Sequence, residues 1–381
     1  MLDKHVKEAL ISIVGLDNYQ DSKTSLLTYS YDATPGFQSF PDAVVSPRNS
    51  QEVAKVVKLC NQYKIPIVPR GSGTNLSAGT TPLHGGIVLL MKHLNNIIEI
   101  DEENLTVRTQ PGVFTQTLIE AIEDKGFFYP PDPSSMKISQ IGGNINENSG
   151  GLRGLKYGVT RDYVLGLEVV LPNGEIIKTG GKLAKDVAGY DLTRVFVGSE
   201  GTLGIVTEAT LKLIPKPETK KTMLVLYQNL DAAARSVSAI IANRIIPATL
   251  EFLDQPTLKA VEDFAQIGLP TNVKAVLIIE QDGPKSVVDS DMEKIATICR
   301  ENEAVEVTLA KSNEEAEALT TARRAALSAL ARLRPTTILE DATVPRSEIA
   351  KMVSAIKEIA NRNQVTICTF GHAGDGNLHP T

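Results

Sequence analysis

Two of the chain's five histidines fall in one short stretch, Gly371-His372-Ala373-Gly374-Asp375-Gly376-Asn377-Leu378-His379. Asp-Gly is turn chemistry, so a tight hairpin would carry both imidazoles to one side. Neutral imidazoles suit zinc, iron or manganese, and a metal site needs at least a third donor. Asp375 is one candidate for that donor. A β-turn with incidental histidines is the competing reading. His5, His84 and His93 are scattered and read as ordinary surface or satisfied residues. Arg323 and Arg324 sit in a run otherwise short of charge, Thr320 to Leu327. A guanidinium fork there would match a substrate carboxylate, with an exposed helix face as the alternative.

Three glycine-rich segments lie in the first half of the chain. The first is Pro69-Arg70-Gly71-Ser72-Gly73-Thr74-Asn75-Leu76-Ser77. A strand running into closely spaced glycines frees consecutive backbone N–H groups to converge on an anion, with a tight turn in an all-β region as the competing reading. A P-loop would need a lysine, and the dinucleotide fingerprint would need glycine where Leu76 stands. The second is Ile141-Gly142-Gly143-Asn144-Ile145-Asn146-Glu147-Asn148-Ser149-Gly150-Gly151, followed by Leu155-Lys156-Tyr157-Gly158. Its glycines and short polar residues suit backbone lying flat against a ligand rather than a core helix or strand. The third, Gly198-Ser199-Glu200-Gly201-Thr202-Leu203-Gly204-Ile205-Val206-Thr207, is a glycine turn entering a β-branched strand. Together they suggest one extended ligand held by backbone groups.

The elements that must position these segments are legible in outline. Asn49 and Glu52 resemble a capping box ahead of helically spaced Val53, Val56, Val57 and Cys60. Strands are expected at 65–68, 86–91, 97–100 and 105–109, a helix at 113–125, and a hairpin at 163–171 and 175–179. Pro215 and Pro217 mark a domain boundary. Beyond it, strands at 223–227, 249–253, 275–280, 305–309, 337–339 and 365–370 alternate with helices. Those helices are expected at 231–243, 256–264, 285–300, 314–333 and 346–361.

Composition limits the function classes. The chain has 381 residues, enough for two or three domains, and 39 Lys+Arg against 45 Asp+Glu give a formal net charge of −6. That mild acidity carries no footprint for nucleic acid. Cys60, Cys299 and Cys368 are far apart, which disfavours a disulfide framework or a cysteine cluster and fits a reducing cytoplasm. No apolar run approaches a transmembrane span, and the N-terminus does not read as a signal peptide.

The segments 67–77, 130–135, 141–158 and 190–207 together resemble, in order and spacing, the FAD-binding domain of vanillyl-alcohol-oxidase-type (PCMH-type) flavoproteins. The second half and the histidine stretch are similar to the FAD-linked 2-hydroxyacid dehydrogenases, the subgroup of glycolate oxidase FAD-linked subunits and D-lactate dehydrogenases. The resemblance implies an α+β fold with an N-terminal helical segment at 1–40. An FAD-binding domain of two subdomains follows at 41–217, then an α+β cap with an antiparallel sheet at 218–381. Arg70, Gly71, Ser72, Gly73, Thr74, Asn75 and Ser77 would hold the pyrophosphate. Pro131, Asp132, Ser135, Gly142, Gly143, Asn146, Ser149, Gly150 and Gly151 would line the rest of the cofactor. Tyr157, Gly158, Glu200, Gly201, Ile205 and Val206 would complete that lining. Some relatives attach flavin through a histidine in the first loop. Thr74-Asn75 stand there in this chain, so FAD is expected to be non-covalent. His372 and His379 match a metal-binding pair, for zinc, iron or manganese, and Arg323 matches a substrate-carboxylate arginine.

The activity implied is oxidation of a small D-2-hydroxy acid, glycolate or D-lactate, to its 2-oxo acid by hydride transfer to FAD, with Arg323 and His379 as catalytic residues. No cysteine pattern holds an iron–sulfur cluster. Electrons are therefore expected to leave to an iron–sulfur subunit, an electron-transfer flavoprotein, a quinone or a diffusible acceptor. The protein would be cytoplasmic, or peripheral to a membrane through a partner. The family has a downstream Gly-Glu-His-Gly motif that supplies a further ligand and base, and this sequence stops before it. The expectation is a cap incomplete at its C-terminus, with weak metal binding and poor turnover. The alternatives are a non-catalytic FAD-binding companion subunit and an alcohol or sugar oxidase of the same fold.

Overall fold

Asn49 caps its helix as expected: its Oδ1 accepts from the Glu52 N–H at 2.9 Å. Glu52 completes only half of the capping box, because its Oε2 accepts from the Arg48 N–H instead. The computed structural model describes residues 2–334 and 336–381. By its contacts the chain divides into two units, Met1–Gly150 with Val159–Lys216, and Gly151–Gly158 with Pro217–Thr381. This division differs from the expected domains at two places. Residues 1–40 belong to the first unit, because Val6, Leu10 and Val14 pack into the same core as Val53, Val56 and Val57. Residues 151–158 leave the first unit for the second.

The elements run α1 (Lys4–Val14), β1 (Tyr19–Gln20), α2 (Lys23–Thr28), β2 (Ala43–Val45), α3 (Ser50–Tyr63), β3 (Ile67–Arg70), β4 (Ile87–Leu90), β5 (Ile97–Asp101), β6 (Thr106–Thr109), α4 (Thr115–Glu123) and β7 (Phe127–Phe128). There follow α5 (Ile141–Glu147), α6 (Gly154–Tyr157), β8 (Val164–Val170), β9 (Ile176–Gly180), α7 (Leu192–Phe196), β10 (Ile205–Lys212) and β11 (Ile214–Pro215). In the first unit one sheet has the order β1-β2-β4-β3, with β2, β4 and β3 parallel. A second sheet, β5-β6-β10-β8-β9, is antiparallel throughout. Gly86 is obligatory where β4 begins: its φ is +82°, and a Cβ there would stand 2.2 Å from the Pro66 carbonyl oxygen.

The second glycine segment corrects the expectation of flat, irregular backbone, because residues 141–147 form the helix α5. Ile141 and Ile145, one turn apart, are fully buried. Buried Asn144 is satisfied by donating to Thr115 Oγ1 at 2.7 Å. Gly142 lets the helix lie on Pro111, whose Cβ would be 2.6 Å from an added Cβ.

The second unit adds β12 (Thr219–Tyr227), α8 (Leu230–Ala242), β13 (Thr249–Asp254), α9 (Gln255–Ala265), β14 (Ala275–Gly283), α10 (Lys285–Glu301) and β15 (Ala304–Leu309). It ends with α11 (Asn313–Arg324), α12 (Ala326–Leu330), β16 (Ala342–Thr343), α13 (Ile349–Asn363), β17 (Thr369–His372) and β18 (Asn377–Pro380). Its strands form one antiparallel sheet, β15-β12-β14-β13-β17-β18-β16. Alternate residues face opposite sides. Val225, Phe252 and Leu277 pack with α8, α10 and α13, while Leu226, Leu253 and Ile278 pack with α9, α11 and α12. Three expectations shift here. The helix expected at 314–333 breaks at Ala325 into α11 and α12. The strand at 337–339 is replaced by β16, where Ala342 and Thr343 find register with β18. The last strand starts at Thr369, because Phe370 and Gly371 are the first residues to pair with β13. The Pro335 position lies outside the described residues.

Asp254 caps α9, accepting from the Thr257 N–H at 2.9 Å and the Thr369 N–H at 2.8 Å. Burial pushes its carboxyl up to about 6 despite these bonds. The native state therefore holds this proton up to a higher pH than an unfolded carboxyl near 3.9 does. The resulting stability is present below about pH 4 and is lost as pH climbs towards 6. Urea midpoints should show the wild type losing ground to D254N across that window, and a constant difference between the two would refute the assignment.

Candidate functional site

In the first unit the fold brings the three glycine segments together. Ser77 Oγ donates to Glu147 Oε1 at 3.0 Å, tying the first loop to α5. The Gly201 N–H donates to Asn146 Oδ1 at 3.1 Å and the Glu200 N–H to the Asn146 carbonyl at 2.9 Å, tying α5 to the third loop. Asp32 supports the first loop from beneath, accepting from Asn75 Nδ2 at 3.1 Å and the Thr80 N–H at 3.2 Å. Arg70 is buried and turned back under its own loop, with Nη1 donating to the Thr80 carbonyl at 3.2 Å. Gly73, at φ +72°, makes room for it, since a Cβ there would lie 2.4 Å from the guanidinium. Burial holds Arg70 below its ordinary pKa.

Among the described residues, no backbone N–H from Gly71 to Ser77 donates to another backbone group. Such a run of open N–H groups is suited to an anion. Ser72 and Ser77 are exposed, and Gly71, Thr74 and Asn75 are half-buried. A hollow of about 230 Å³ lies alongside, lined by Ile65, Ile67, Pro69, Val170, Gly201 and Ile205 among others. Val206 is buried in β10 and Glu200 is exposed. The face of Gly143 is open, with nothing within 4 Å of an added Cβ, and Gly150 is exposed. Pro131 and Asp132 are buried, Ser135 is half-buried, and the Ser149 carbonyl accepts from the Thr160 N–H. Open N–H groups, an apolar hollow and a bare glycine face fit an adenine dinucleotide.

Gly151, Tyr157 and Gly158 are assigned to the second unit. The Tyr157 hydroxyl lies 2.8 and 2.9 Å from the two carboxylate oxygens of Asp282, to which it donates. Lys156 Nζ is 2.5 Å from the same carboxylate.

In the second unit β17 and β18 pair Phe370 with His379 and His372 with Asn377. Phe370, His372 and His379 thus share one face of the sheet. The histidine ring centroids are 5.1 Å apart with the rings perpendicular, and Phe370 lies 5.3 Å from His379. The hairpin does bring the two imidazoles together. Asp375 serves the turn, its Oδ1 accepting from the Asn377 N–H at 3.2 Å. Among the described residues, no three His, Cys, Asp or Glu side chains are grouped to hold a metal ion.

Two residues that sequence reasoning passed over complete this cluster. β13 pairs Phe252 with Gly371 and Leu253 with Phe370. Continued by one residue, that register sets Glu251 opposite His372, and Glu251 Oε1 lies 2.7 Å from His372 Nδ1. Its Oε2 forms a 2.5 Å ion pair with Arg323 Nε. Arg323 is not on an exposed helix face: it is 2 % exposed, and its Cζ lies 4.8 Å from the Phe370 ring centroid. Arg323 Nη2 is buried with no hydrogen bond; its Nε and Glu251 Oε2 likewise make none, and meet each other only as the ion pair. Asp341 is the other missed residue, with Oδ1 at 2.5 Å from His379 Nδ1. An acid set between Leu250 and Phe252 was the available signal for Glu251, since such a charge, when buried, demands a partner.

Burial opposes the Glu251 charge, yet Arg323 and His372 outweigh it and hold the carboxyl below its ordinary range. Burial pulls His372 down, but the Glu251 charge and hydrogen bond leave it raised. For His379 burial prevails over Asp341, so its pKa is lowered.

The class of protein follows from comparison with known families. Residues 41–180 match the FAD binding domain family, and residues 216–381 match the FAD linked oxidases, C-terminal domain. The chain belongs to the FAD-linked oxidase family, with the PCMH-type α+β fold. Among its relatives is the glycolate oxidase subunit GlcD of Bacillus subtilis, 70% identical over 381 residues, which are 100% of this chain and 81% of that protein. Another is the D-lactate dehydrogenase of Anaerostipes hadrus, 36% identical, with 89% of this chain and 73% of that protein covered. The solved structure of p-cresol methylhydroxylase superposes with a TM-score of 0.83 at 19% identity, covering 99% of this chain and 81% of that one. That likeness establishes the fold.

Proposed function

We propose that the protein oxidises a small D-2-hydroxy acid, glycolate or D-lactate, to the 2-oxo acid. One observation supports this most: a buried arginine with an unused Nη2 beside two adjacent imidazoles on one sheet face. The Arg323 Nη2 end takes the substrate carboxylate as a charge-assisted donor. His379, kept neutral by burial and set against Asp341 through Nδ1, takes the hydroxyl proton at Nε2. FAD, when bound, accepts the hydride from the α-carbon. In the first unit the N–H groups of Gly71 to Ser77 hold the pyrophosphate, and the hollow beside Pro69 and Ile205 takes the adenine.

His372 and His379 are also the pair that the family resemblance gives to a divalent metal. With no third donor grouped beside them among the described residues, they form a two-imidazole half-site, and no step is routed through a metal.

The three cysteines are all buried and free, and two are assigned to the second unit and one to the first. They cannot share a cluster ligand set within one unit. Electrons leave to an iron–sulfur subunit, an electron-transfer flavoprotein, a quinone or a diffusible acceptor, with the protein in the cytoplasm or peripheral to a membrane through a partner. Among the described residues, no helix is long and apolar enough to cross a membrane.

The test is anaerobic titration of the FAD-loaded protein with glycolate, D-lactate and D-2-hydroxyglutarate. Flavin absorbance should bleach with a D-hydroxy acid and not with L-lactate. An unbleached spectrum with all three would leave the companion-subunit reading standing instead.

A further inference from the structure

We propose that Glu251 is a positioning residue that sets the tautomer of His372 and the orientation of Arg323 at once. The inference rests on the proposed substrate site, in which Arg323 takes the carboxylate and His372 lies 5.1 Å from His379. Glu251 is fully buried on β13, and each of its oxygens has one partner: Oε1 the His372 Nδ1 at 2.7 Å, Oε2 the Arg323 Nε at 2.5 Å. A carboxylate only accepts, so the proton at that contact belongs to His372 Nδ1. The neutral ring is therefore the Nδ1–H tautomer, with its lone pair on Nε2. That lone pair is the atom a bound hydroxyl or cation would meet. On the other side, Glu251 engages the Nε edge of Arg323 and leaves Nη2 to the substrate. One carboxylate thus ties the carboxylate-binding group to the imidazole, two elements whose backbones are held by different parts of the fold.

E251Q separates this role from simple packing, because it conserves shape and offers one acceptor where there were two. A guanidinium only donates, so the amide oxygen turns to Arg323 and the amide NH2 faces His372. Nδ1 must then accept, and the ring proton moves to Nε2. Long-range 1H–15N spectra of 15N-histidine-labelled, FAD-loaded protein at alkaline pH read this directly, with H372N providing the assignment. The expected result is Nδ1–H for His372 in the wild type and Nε2–H in E251Q. In the same variant kcat for the hydroxy acid should fall by about 10–100-fold. KM should change little, since Arg323 keeps an acceptor at Nε. An Nε2–H tautomer in the wild type, or an unchanged tautomer in folded E251Q, overturns the proposal. Should E251Q fail to fold, the wild-type tautomer decides by itself. The spectra require no turnover, so a protein that bleaches with no hydroxy acid can still show the predicted tautomer, and the two readings fail separately.

Discussion

Replacing Arg323 with methionine should cost about 3–5 kcal/mol of stability, read as a lower urea midpoint for the second unit. Arg323 and Glu251 are both essentially without solvent contact, at 2 % and 0 % exposure. R323M leaves the Glu251 carboxylate in an apolar face beside Leu253 and Phe370, with His372 as its remaining partner. The cost comes from the stranded charge more than from the lost attraction. Removing both charges, as R323M/E251L, should therefore recover most of the stability, because a buried pair exchanged for well-packed apolar side chains is often neutral. Flavin bleaching by the hydroxy acid should not recover in the double variant. Stability that returns without flavin reduction would assign the Arg323–Glu251 pair a role at the substrate site beyond folding. Bleaching at the wild-type rate in the double variant would remove Arg323 from the substrate site.

The second large effect distinguishes two adjacent glycines that are indistinguishable as sequence. G142A drives a methyl group to 2.6 Å from Pro111 Cβ and 3.2 Å from its carbonyl oxygen. Overpacking of this kind costs about 1–3 kcal/mol, and α5 should loosen from the core. Gly143 has nothing within 4 Å of the corresponding position. G143A should leave the FAD-free protein as stable as before or up to about 1 kcal/mol more so, since alanine favours a helix interior. If FAD lies against that open face, its affinity should drop by at least about tenfold, or about 1.4 kcal/mol. Fluorescence titration of the FAD-free protein with FAD, alongside urea midpoints, measures both. Unchanged FAD affinity in G143A would place the cofactor elsewhere.

The contrast between those glycines shows why only part of the site was legible. Asn49 at its N-cap and the Asp375-Gly376 turn depend on residues a few positions away. Local backbone chemistry settles such features, so reading them needs no fold. The glycine segments announced a ligand for the same reason, since their spacing leaves backbone groups open. The helical form of 141–147 was hidden, because two glycines argue against a helix in isolation. Burial of Ile141 and Ile145 and the close approach to Pro111 overrode that propensity.

By itself, then, the sequence pointed to the class of protein, to three glycine segments suited to a ligand and to two histidines placed to meet across a turn. Each rests on patterns that are local along the chain, read one short stretch at a time. Only the tertiary structure decided what those groups are bonded to. Glu251 reaches His372 because β13 runs antiparallel to β17 in one particular register, and a slip of one residue would turn its side chain to the opposite face. Arg323 reaches Glu251 because α11 packs on that same face. Distant parts of the chain meet there through packing and strand register, which no local pattern of residues records.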